Sequence, residues 1–560
     1  MTRKWHRLAY LVAAFALAVG ATSCGGDDDE AATDGGEPAA GGTLVFGTAS
    51  DPVVLDGALV SDGESLRVLD QIFETLTALE PGTTEVVPGL AESWEVSEDG
   101  TEYTFTLREG VTFHDGEPFN AEAVCFNFER WYNFKGSFQN GDASYYWQTV
   151  FGGFKENEPE SGLGPSLYAG CEATDENTVV LRITKPSSSI LGALSLTSFA
   201  IASPKALQEF GADQGRVDDE GVFHPTGTFG TEHPIGTGPF MFESWTRGDR
   251  LTVVRYEDYW GEKAKLDTLV FRPIPDNAAR LQALQTGEIQ GYDLVEPQDI
   301  PTIEGDPNLQ LLDRPAFNVG YVGISQDHKP LDQIEVRQAI AHALNRQRVV
   351  DDFYAGRGDV AHEFMPPEVV GYADDVTQYE YDPDKAKQLL EQAGVKTPLE
   401  LTFCYPTDVS RPYMPDPQRN FEAFAADLNA AGFKITPKAA PWSPDYLGLA
   451  LNGKCPLYLL GWTGDFGDAD NFVGTFFQAP SPEWGFENPE IHGILDQAES
   501  ETDPDEREGL YQEANRLIAD FVPGVPYVHT SPALAFQANV EGYVPSPVSL
   551  EPFSIVSIEE

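Results

Sequence analysis

Apolar and polar residues alternate in ways that predict a mixed series of strands and helices. Residues 43–47 form an apolar run that predicts a first strand. Ser61 and Glu64 fit a capping box, and the apolar residues behind them recur at helical spacing as far as Leu79. Residues 103–108 alternate apolar and polar, as a half-buried strand does. The first part of the chain therefore predicts α/β structure.

Two segments in the second half combine a buried strand with a loop that is rich in functional residue types. Residues 456–460 predict a strand, and the sequence Gly-Trp-Thr-Gly-Asp-Phe-Gly-Asp-Ala-Asp-Asn-Phe follows at 461–472. Residues 399–405 predict another strand, and the loop behind it contains Arg411 between stiffening prolines, before a helix at 421–430. In an α/β lobe both loops emerge at strand ends, where ligands bind.

Length and composition narrow the class of protein. A chain of 560 residues with 41% apolar and 11% aromatic residues is long enough for two or three globular domains. It carries 90 acidic and 35 basic residues, a net charge of −55. Because so acidic a surface repels phosphates, the composition excludes nucleic acid as a partner. The charge is spread along the chain and suits the solubility of a secreted protein.

The first residues predict export. A basic head at residues 3–7 precedes an apolar run at 8–19, which is short for a membrane span. Ala-Thr-Ser-Cys at 21–24 resembles the lipobox of bacterial lipoproteins, which implies a signal peptide at 1–23 and a diacylglyceryl anchor on Cys24. The alternative is an ordinary signal peptide with an incidental cysteine. Residues 24–42 predict a flexible tether, so we expect an extracytoplasmic lipoprotein held at the cell membrane, on the cell surface or in the periplasm.

The other four cysteines fit an exported protein. Cys125, Cys171, Cys404 and Cys455 allow three pairings. Pairing within each half, Cys125 with Cys171 and Cys404 with Cys455, keeps each disulfide inside one candidate domain. Buried free thiols are the alternative, particularly for the second pair. The sequence has no CxxC motif or Cys/His cluster, so we expect neither a metal site nor a cofactor.

Several motifs, in order, resemble one family. They are Pro-Gly-Leu-Ala-Glu-Ser-Trp at 88–94, Phe-Thr-Leu-Arg-Glu-Gly-Val-Thr-Phe-His-Asp-Gly at 105–116, Gly-Thr-Gly-Pro at 236–239 and Ala-Leu-Gln-Thr-Gly-Glu-Ile at 283–289. This series resembles family 5 extracellular solute-binding proteins, the peptide receptors of ABC importers, and is most similar to their dipeptide-binding type. The resemblance implies a monomeric binding protein rather than an enzyme, with a short peptide and the transmembrane subunits of an ABC permease as partners.

The resemblance also implies a fold. It predicts the two-lobe type II periplasmic-binding fold with an additional inserted α/β domain, closing on its ligand by hinge motion. We expect lobe I at 41–78, 220–310 and 525–560, the inserted domain at 79–219, and lobe II, which carries the ligand anchors, at 311–524. The hinge strands are expected near 315–318 and 521–526.

A free dipeptide has two opposite charges, and burying either one unpaired is costly. A guanidinium can bind a carboxylate through two parallel hydrogen bonds, so Arg411 suits the C-terminus and Asp465 suits the ammonium group. The resemblance gives the same roles to the Arg-Pro-Tyr motif and to the aspartate after Trp-Thr-Gly. Trp462, Gly464 and Tyr413 are expected to line the pocket. The alternative for Arg411 and Asp465 is a structural salt bridge across the closed cleft.

Other functions remain open at this stage. The same fold could bind a non-peptide solute such as haem, a metal chelate, an opine or an oligosaccharide. An extracytoplasmic hydrolase with paired carboxylates is a remoter alternative, because the sequence has no Gly-x-Ser-x-Gly elbow or zincin helix. A surface adhesin or a peptide-holding chaperone is a further one.

Overall fold

Strands and helices fill most of the chain that the structure describes. The computed structural model describes residues 41–559 except 142, 160 and 219–222, so the predicted signal peptide, the anchor Cys24 and nearly all of the tether lie outside the described residues. The strands are β1 Thr43–Thr48, β2 Thr77–Leu79, β3 Val86–Pro88, β4 Ala91–Val96, β5 Glu102–Leu107, β6 Tyr168–Asp175, β7 Thr178–Ile183, β8 Gly215–Val217, β9 Phe223–Pro225, β10 Phe240–Thr246, β11 Arg250–Arg255, β12 Thr268–Pro273, β13 Gly291–Tyr292, β14 Leu309–Asp313, β15 Asn318–Ile324, β16 Gly358–Asp359, β17 Leu399–Pro406, β18 Phe433–Ala440, β19 Leu457–Thr463, β20 Gly524–Thr530, β21 Ala533–Gln537, β22 Val540–Glu541 and β23 Ser557–Ile558.

The helices lie mostly between the strands of the second half. They are α1 Gly63–Ile72, α2 Ala121–Tyr132, α3 Tyr145–Phe151, α4 Ile190–Ala193, α5 Pro204–Glu209, α6 Phe229–Glu232, α7 Asn277–Thr286, α8 Ile300–Glu304, α9 Ile334–Ala343, α10 Arg346–Phe353, α11 Pro383–Gln392, α12 Pro417–Ala430, α13 Leu447–Leu451, α14 Val473–Phe477, α15 Pro489–Ser500 and α16 Pro504–Phe521. Among the described residues, no helix has the length and apolar character needed to cross a bilayer.

Three larger sheets draw on different parts of the chain. A seven-stranded sheet has the order β10-β11-β12-β1-β13-β21-β14, with β1 parallel to both of its neighbours. A four-stranded antiparallel sheet has the order β4-β5-β7-β6. In β5 the buried residues are Tyr103, Phe105 and Leu107, so the predicted alternation of that strand is confirmed. A disulfide between Cys125 on α2 and Cys171 on β6 ties a helix to this sheet.

The six-stranded sheet has the order β16-β20-β15-β19-β17-β18. Strand β17 runs parallel to β19, and both are largely buried. One face packs against α9 to α12, and the other packs against α14 to α16 through aromatic side chains. Because β17 and β19 are parallel neighbours, the loops that follow them emerge at the same edge of the sheet, as predicted.

Side-chain caps begin several helices, and the one cap that the sequence analysis predicted is wrong. Asn120 and Asp382 cap α2 and α11 through hydrogen bonds to backbone amides of the first turn. The capping box at Ser61 is wrong, because Asp62 caps α1 by accepting from Ser65 N at 2.9 Å. Glu64 instead accepts a hydrogen bond from the amide of Ala49. Helix α1 also ends at Ile72, and β2 begins five residues later.

One expected segment boundary differs from the strand assignments. Residues 525–560 were expected in lobe I, but β20 pairs with β15 in the six-stranded sheet. Every residue of β20 is buried, so its sequence is compatible with a core strand in either lobe. This explains why the expected boundary differs from the observed sheet. The chain crosses between the two sheets at Ser531 and Pro532, where the Arg314 amide donates to the Pro532 carbonyl at 2.9 Å. The two crossing segments therefore lie side by side.

Candidate ligand-binding site

Asp465 lies just beyond the end of β19 and is held by hydrogen-bond donors only. The Tyr146 hydroxyl donates to its Oδ1 at 2.8 Å, and Asn471 Nδ2 donates to its Oδ2 at 3.2 Å. Burial raises the pKa of Asp465 to about 6, and these two hydrogen bonds lower it in part. The residue as a whole is half-buried. Among the described residues no cation pairs with it, so its charge is uncompensated.

Arg411 lies in the loop after β17, in a tight turn closed by two backbone hydrogen bonds with Met414. Its guanidinium carbon stands 4.3 Å from the centre of the Trp442 ring, a cation–π contact. Within the described part of the chain no carboxylate pairs with this guanidinium, and its buried Nε has no hydrogen-bond partner. The stacking orients a planar donor group and leaves its edge free for an anion.

The Arg411 loop is fixed by polar contacts with β20. The Tyr413 carbonyl accepts from the hydroxyls of Tyr354 and Tyr527 at 3.0 and 3.3 Å. The Pro412 carbonyl accepts from the Thr530 hydroxyl at 2.8 Å. Because Thr530 is the last residue of β20, the loop is attached directly beside the crossing between the two large sheets. Such rigid support positions a binding group better than a free loop would.

Tyr413 connects the two loops. Its ring lies over Gly461 on β19, where a Cβ would overlap the ring. Burial raises the pKa of the Tyr413 hydroxyl to about 12, and the charge of Arg411 lowers it in part. Gly461 is four residues before Asp465, so Tyr413 places the Arg411 turn next to the strand that carries Asp465. This close packing requires glycine at position 461.

The other predicted lining residues have clear packing contacts. Trp462 is half-buried and packs edge-on against Phe476, with ring centres 6.0 Å apart. Gly464 is buried between the rings of Phe317 and Phe472, and its amide donates to the Phe317 carbonyl at 2.9 Å. These contacts hold the end of β19 in place. A direct contact of Trp462 or Gly464 with a ligand stays a prediction.

Arg411 and Asp465 do not pair with each other among the described contacts, which disfavours the structural salt bridge between them. Arg411 lines a cavity with about 380 Å³ of empty space, partly open to solvent, between residues 294–300 on one side and residues 410–415 on the other. Asp465 does not line that cavity. The two charged groups therefore stand apart at one edge of the six-stranded sheet, each without a counter-charge.

The remainder of the 465–471 loop is structural. Asp468 Oδ1 accepts from the Asp470 amide at 2.8 Å and from Arg507 at 2.7 Å. Asn471 Oδ1 accepts from the Asp465 amide at 2.7 Å, so Asn471 both shapes the loop and contacts the carboxylate.

A disulfide between Cys404 on β17 and Cys455, two residues before β19, joins the two strands that carry the loops. Among the described residues, no group of three or more His, Cys, Asp or Glu side chains could hold a metal ion.

Two residues at the site were not among those that the sequence predicted to line the pocket. Tyr146 comes from α3, 319 residues before Asp465, and nothing in its local sequence indicated that contact. Trp442 contacts Arg411, although it was not among the predicted lining residues. Its position behind a strand end, near the Arg411 loop in an α/β pattern, is the signal that could have identified it.

Comparisons with known proteins identify the family. The model for bacterial extracellular solute-binding proteins, family 5 (middle), matches residues 85–483, which is most of the chain. The protein therefore belongs to family 5 of the bacterial extracellular solute-binding proteins. Its fold is the two-lobe periplasmic-binding fold of this family with an additional α/β domain, as the sequence predicts.

Individual relatives cover nearly the whole chain. The dipeptide-binding protein of Escherichia coli K12 is 33% identical over 92% of this chain and 95% of its own. Heme-binding protein A of Haemophilus influenzae is 31% identical over 92% of each. Among solved structures, the ABC transporter-associated periplasmic binding protein DppA of Helicobacter pylori, in complex with the peptide STSA, superposes with a TM-score of 0.78. It is 29% identical and covers 93% of this chain and 98% of its own.

Proposed function

We propose that this protein is the substrate-binding component of an ABC importer and that it binds short peptides, dipeptides in preference. The observation that carries the proposal is the pair of uncompensated charges, Asp465 and Arg411, at one edge of one sheet. The relative named for dipeptides and the neighbour solved with a peptide support the peptide class.

The physical argument concerns the two ends of the ligand. Taking an unpaired charge out of water costs several kcal/mol, so a buried zwitterion needs a counter-charge at each end. Asp465 receives the ammonium group on the carboxylate that Tyr146 and Asn471 orient. Arg411 receives the carboxylate through the edge of the guanidinium that stacks on Trp442. Fixing both ends limits ligand length, which is why dipeptides are preferred.

Further parts of the proposal rest on the sequence and the family. The protein is a monomer without enzymatic activity, anchored outside the cytoplasm through Cys24, and it delivers its ligand to the transmembrane subunits of the permease. Lobe I comprises residues 41–78, about 220–313 and about 531–560, with the inserted domain at 79–219 and lobe II between the crossings. Closure of the two lobes encloses the ligand.

Blocking either end of a dipeptide should abolish most of the binding. We expect calorimetry to give a clear signal for Ala-Ala, a loss of at least 30-fold for N-acetyl-Ala-Ala, and a similar loss for Ala-Ala-amide. Each blocked peptide leaves one protein charge buried without a partner, which costs about 2 kcal/mol or more. Equal affinity for the free and the blocked peptides would contradict the proposed roles.

The affinity for a dipeptide without ionisable side chains should fall as the pH drops through about 6. Burial gives Asp465 a pKa of about 6, so the carboxylate is charged above that pH and must lose a proton before it binds below it. The expected slope approaches a tenfold loss per pH unit on the acid side. Calorimetry of Ala-Ala from pH 7.5 to 4.5 measures it. The Asp465→Asn variant should lack this decline, and an unchanged decline would assign it to another group.

A non-peptide solute is the second candidate, because one relative of similar identity is named for haem. Mass spectrometry of the ligand that co-purifies with the protein distinguishes the two. A set of short peptides supports the proposal, whereas haem or another non-peptide solute would replace it.

A further inference from the structure

Asn318 joins the two segments of chain that cross between the large sheets. It is buried and is the first residue of β15, directly after the first crossing at 314–317. Its Nδ2 donates to the Thr530 carbonyl at 2.9 Å, and its Oδ1 accepts from the Thr530 amide at 3.1 Å. Thr530 is buried too and is the last residue of β20, directly before the second crossing at 531–532. One side chain therefore ties the ends of both crossings together.

The side chain of Asn318 continues the contact between β15 and β20 where their backbone pairing stops. That pairing covers residues 320–323 of β15 and does not reach Asn318. A side-chain amide has the same donor and acceptor groups as a backbone amide, so its two hydrogen bonds with Thr530 take the place of a further backbone pair. The Asn318 carbonyl also accepts from Nδ1 of His529 at 2.7 Å. Three hydrogen bonds therefore hold the two strand ends in one arrangement.

Asn318 is also linked to the strand end that carries Asp465. In the pairing of β15 with β19 it lies opposite Thr463, the last residue of β19. The residue before it, Phe317, accepts through its carbonyl from the Gly464 amide at 2.9 Å. Because Gly464 immediately precedes Asp465, the start of the Asp465 loop follows the position of the first crossing.

Thr530 makes the corresponding link to Arg411. Its hydroxyl donates to the Pro412 carbonyl at 2.8 Å, and Pro412 immediately follows Arg411. The same hydroxyl lies 3.0 Å from Asn318 Oδ1, but it has one proton to donate, and Oδ1 already accepts from the Thr530 amide. The contacts therefore run from the Arg411 turn through Thr530 and Asn318 to the end of β19.

We infer that Asn318 and Thr530 are positioning residues that set the separation of the two charge anchors, Asp465 and Arg411. The inference rests on the proposed peptide-binding function and adds the residues that fix the distance between the two ligand ends. Asn318 acts on both anchors, whereas the Thr530 hydroxyl acts on Arg411 alone. Neither side chain has to touch the ligand. Hydrogen bonds between charged groups depend on geometry, so a small displacement of either anchor weakens recognition of its own end of the peptide.

Removing the Thr530 hydroxyl should weaken recognition of the ligand carboxylate only. Thr530→Val keeps the shape of the side chain and the backbone groups that bind Asn318, but the Pro412 carbonyl loses its donor. In calorimetry at pH 7.5 the preference for Ala-Ala over Ala-Ala-amide should fall about fivefold, the usual effect of one lost hydrogen bond. The preference for Ala-Ala over N-acetyl-Ala-Ala should stay as in the natural protein. Thr530→Ser retains a hydroxyl and should restore the first preference.

Thr77→Val is the matched control, because Thr77 is also buried and its hydroxyl donates to the Leu191 carbonyl at 2.8 Å. It should leave both preferences unchanged. Asn318→Ser cannot bridge the two crossings and should reduce both preferences. If that variant does not fold, Asn318→Asp, which retains the oxygen that accepts from Thr530 but lacks the Nδ2 donor, tests the same expectation.

The outcomes separate this inference from the proposed function. If Thr530→Val leaves both preferences as they are in the natural protein, or lowers the affinity for all three peptides alike, the inference fails while the proposed function stands. If the variants of Asn318 change only one preference, the link between the two anchors is wrong. If the natural protein itself does not distinguish the free dipeptide from the blocked ones, the proposed function fails.

Discussion

Replacing Asp465 with asparagine is expected to weaken the binding of Ala-Ala by about 2–5 kcal/mol, because the ligand ammonium loses its only counter-charge. In dissociation constants this is a rise of about 30-fold or more. Asparagine still accepts from Tyr146 but turns an amide toward Asn471 Nδ2, so one hydrogen bond of 3.2 Å is also lost. That loss perturbs the loop slightly and explains only a minor part of the effect. Calorimetry at pH 7.5 measures the change.

A second comparison distinguishes the role of Asp465 as the ammonium anchor from a general effect of losing a negative charge. In Asp465→Asn, N-acetyl-Ala-Ala and Ala-Ala should bind with the same affinity, whereas in the natural protein they differ greatly. This cycle isolates the interaction between the carboxylate and the ammonium group. The control is Asp468→Asn, which removes a charge from the same loop, but one that already pairs with Arg507. If Asp468→Asn weakens binding as much as Asp465→Asn, the effect belongs to the loop and not to the anchor.

What the sequence revealed about the fold was local. The alternation in β5 depends on a few adjacent residues, so it could be predicted directly from the sequence. A local pattern could not decide whether Ser61 or Asp62 caps α1, because both residue types cap helices well. The sequence also did not predict the sheet that contains β20. An apolar strand that is buried on both faces has no local pattern that distinguishes one sheet from the other.

The sequence predicted those site residues that lie in a loop directly after a recognisable strand. Asp465 and Arg411 both come soon after an apolar run, and their strands proved to be parallel neighbours. The residues that contact Asp465 were harder to predict from the sequence. Asn471, six residues after Asp465, lay within reach of local reasoning, whereas Tyr146 approaches from a distant segment. Burial, which raises the pKa of the Asp465 carboxyl, is likewise a property of the assembled structure.

Replacing Arg314 with methionine is expected to destabilise the protein by roughly 3–5 kcal/mol, the usual effect of removing one partner from a buried ion-pair network. Arg314 lies directly before the first crossing between the two large sheets and contacts Asp293 at 2.8 Å and Glu551. Arg67 on α1 contacts the same two carboxylates at 2.7 and 3.0 Å. Burial opposes the ionisation of Asp293, but the two guanidinium groups outweigh it and lower its pKa. Without Arg314, the buried carboxylates of Asp293 and Glu551 share Arg67, which also pairs with Glu64 at 3.3 Å.

Chemical denaturation and thermal melting measure this loss, with Arg182→Met as the control. Arg182 also pairs with two carboxylates, Glu102 at 2.7 Å and Glu172 at 2.9 Å, but its side chain is 37% exposed, against 2% for Arg314. Solvent screening should limit the effect of Arg182→Met to about 1 kcal/mol or less. Adding Glu551→Gln to Arg314→Met should restore part of the stability, because Asp293 then no longer shares Arg67 with Glu551. Equal losses in the two single variants, or a further loss in the double variant, would show that the charges of this network do not act together.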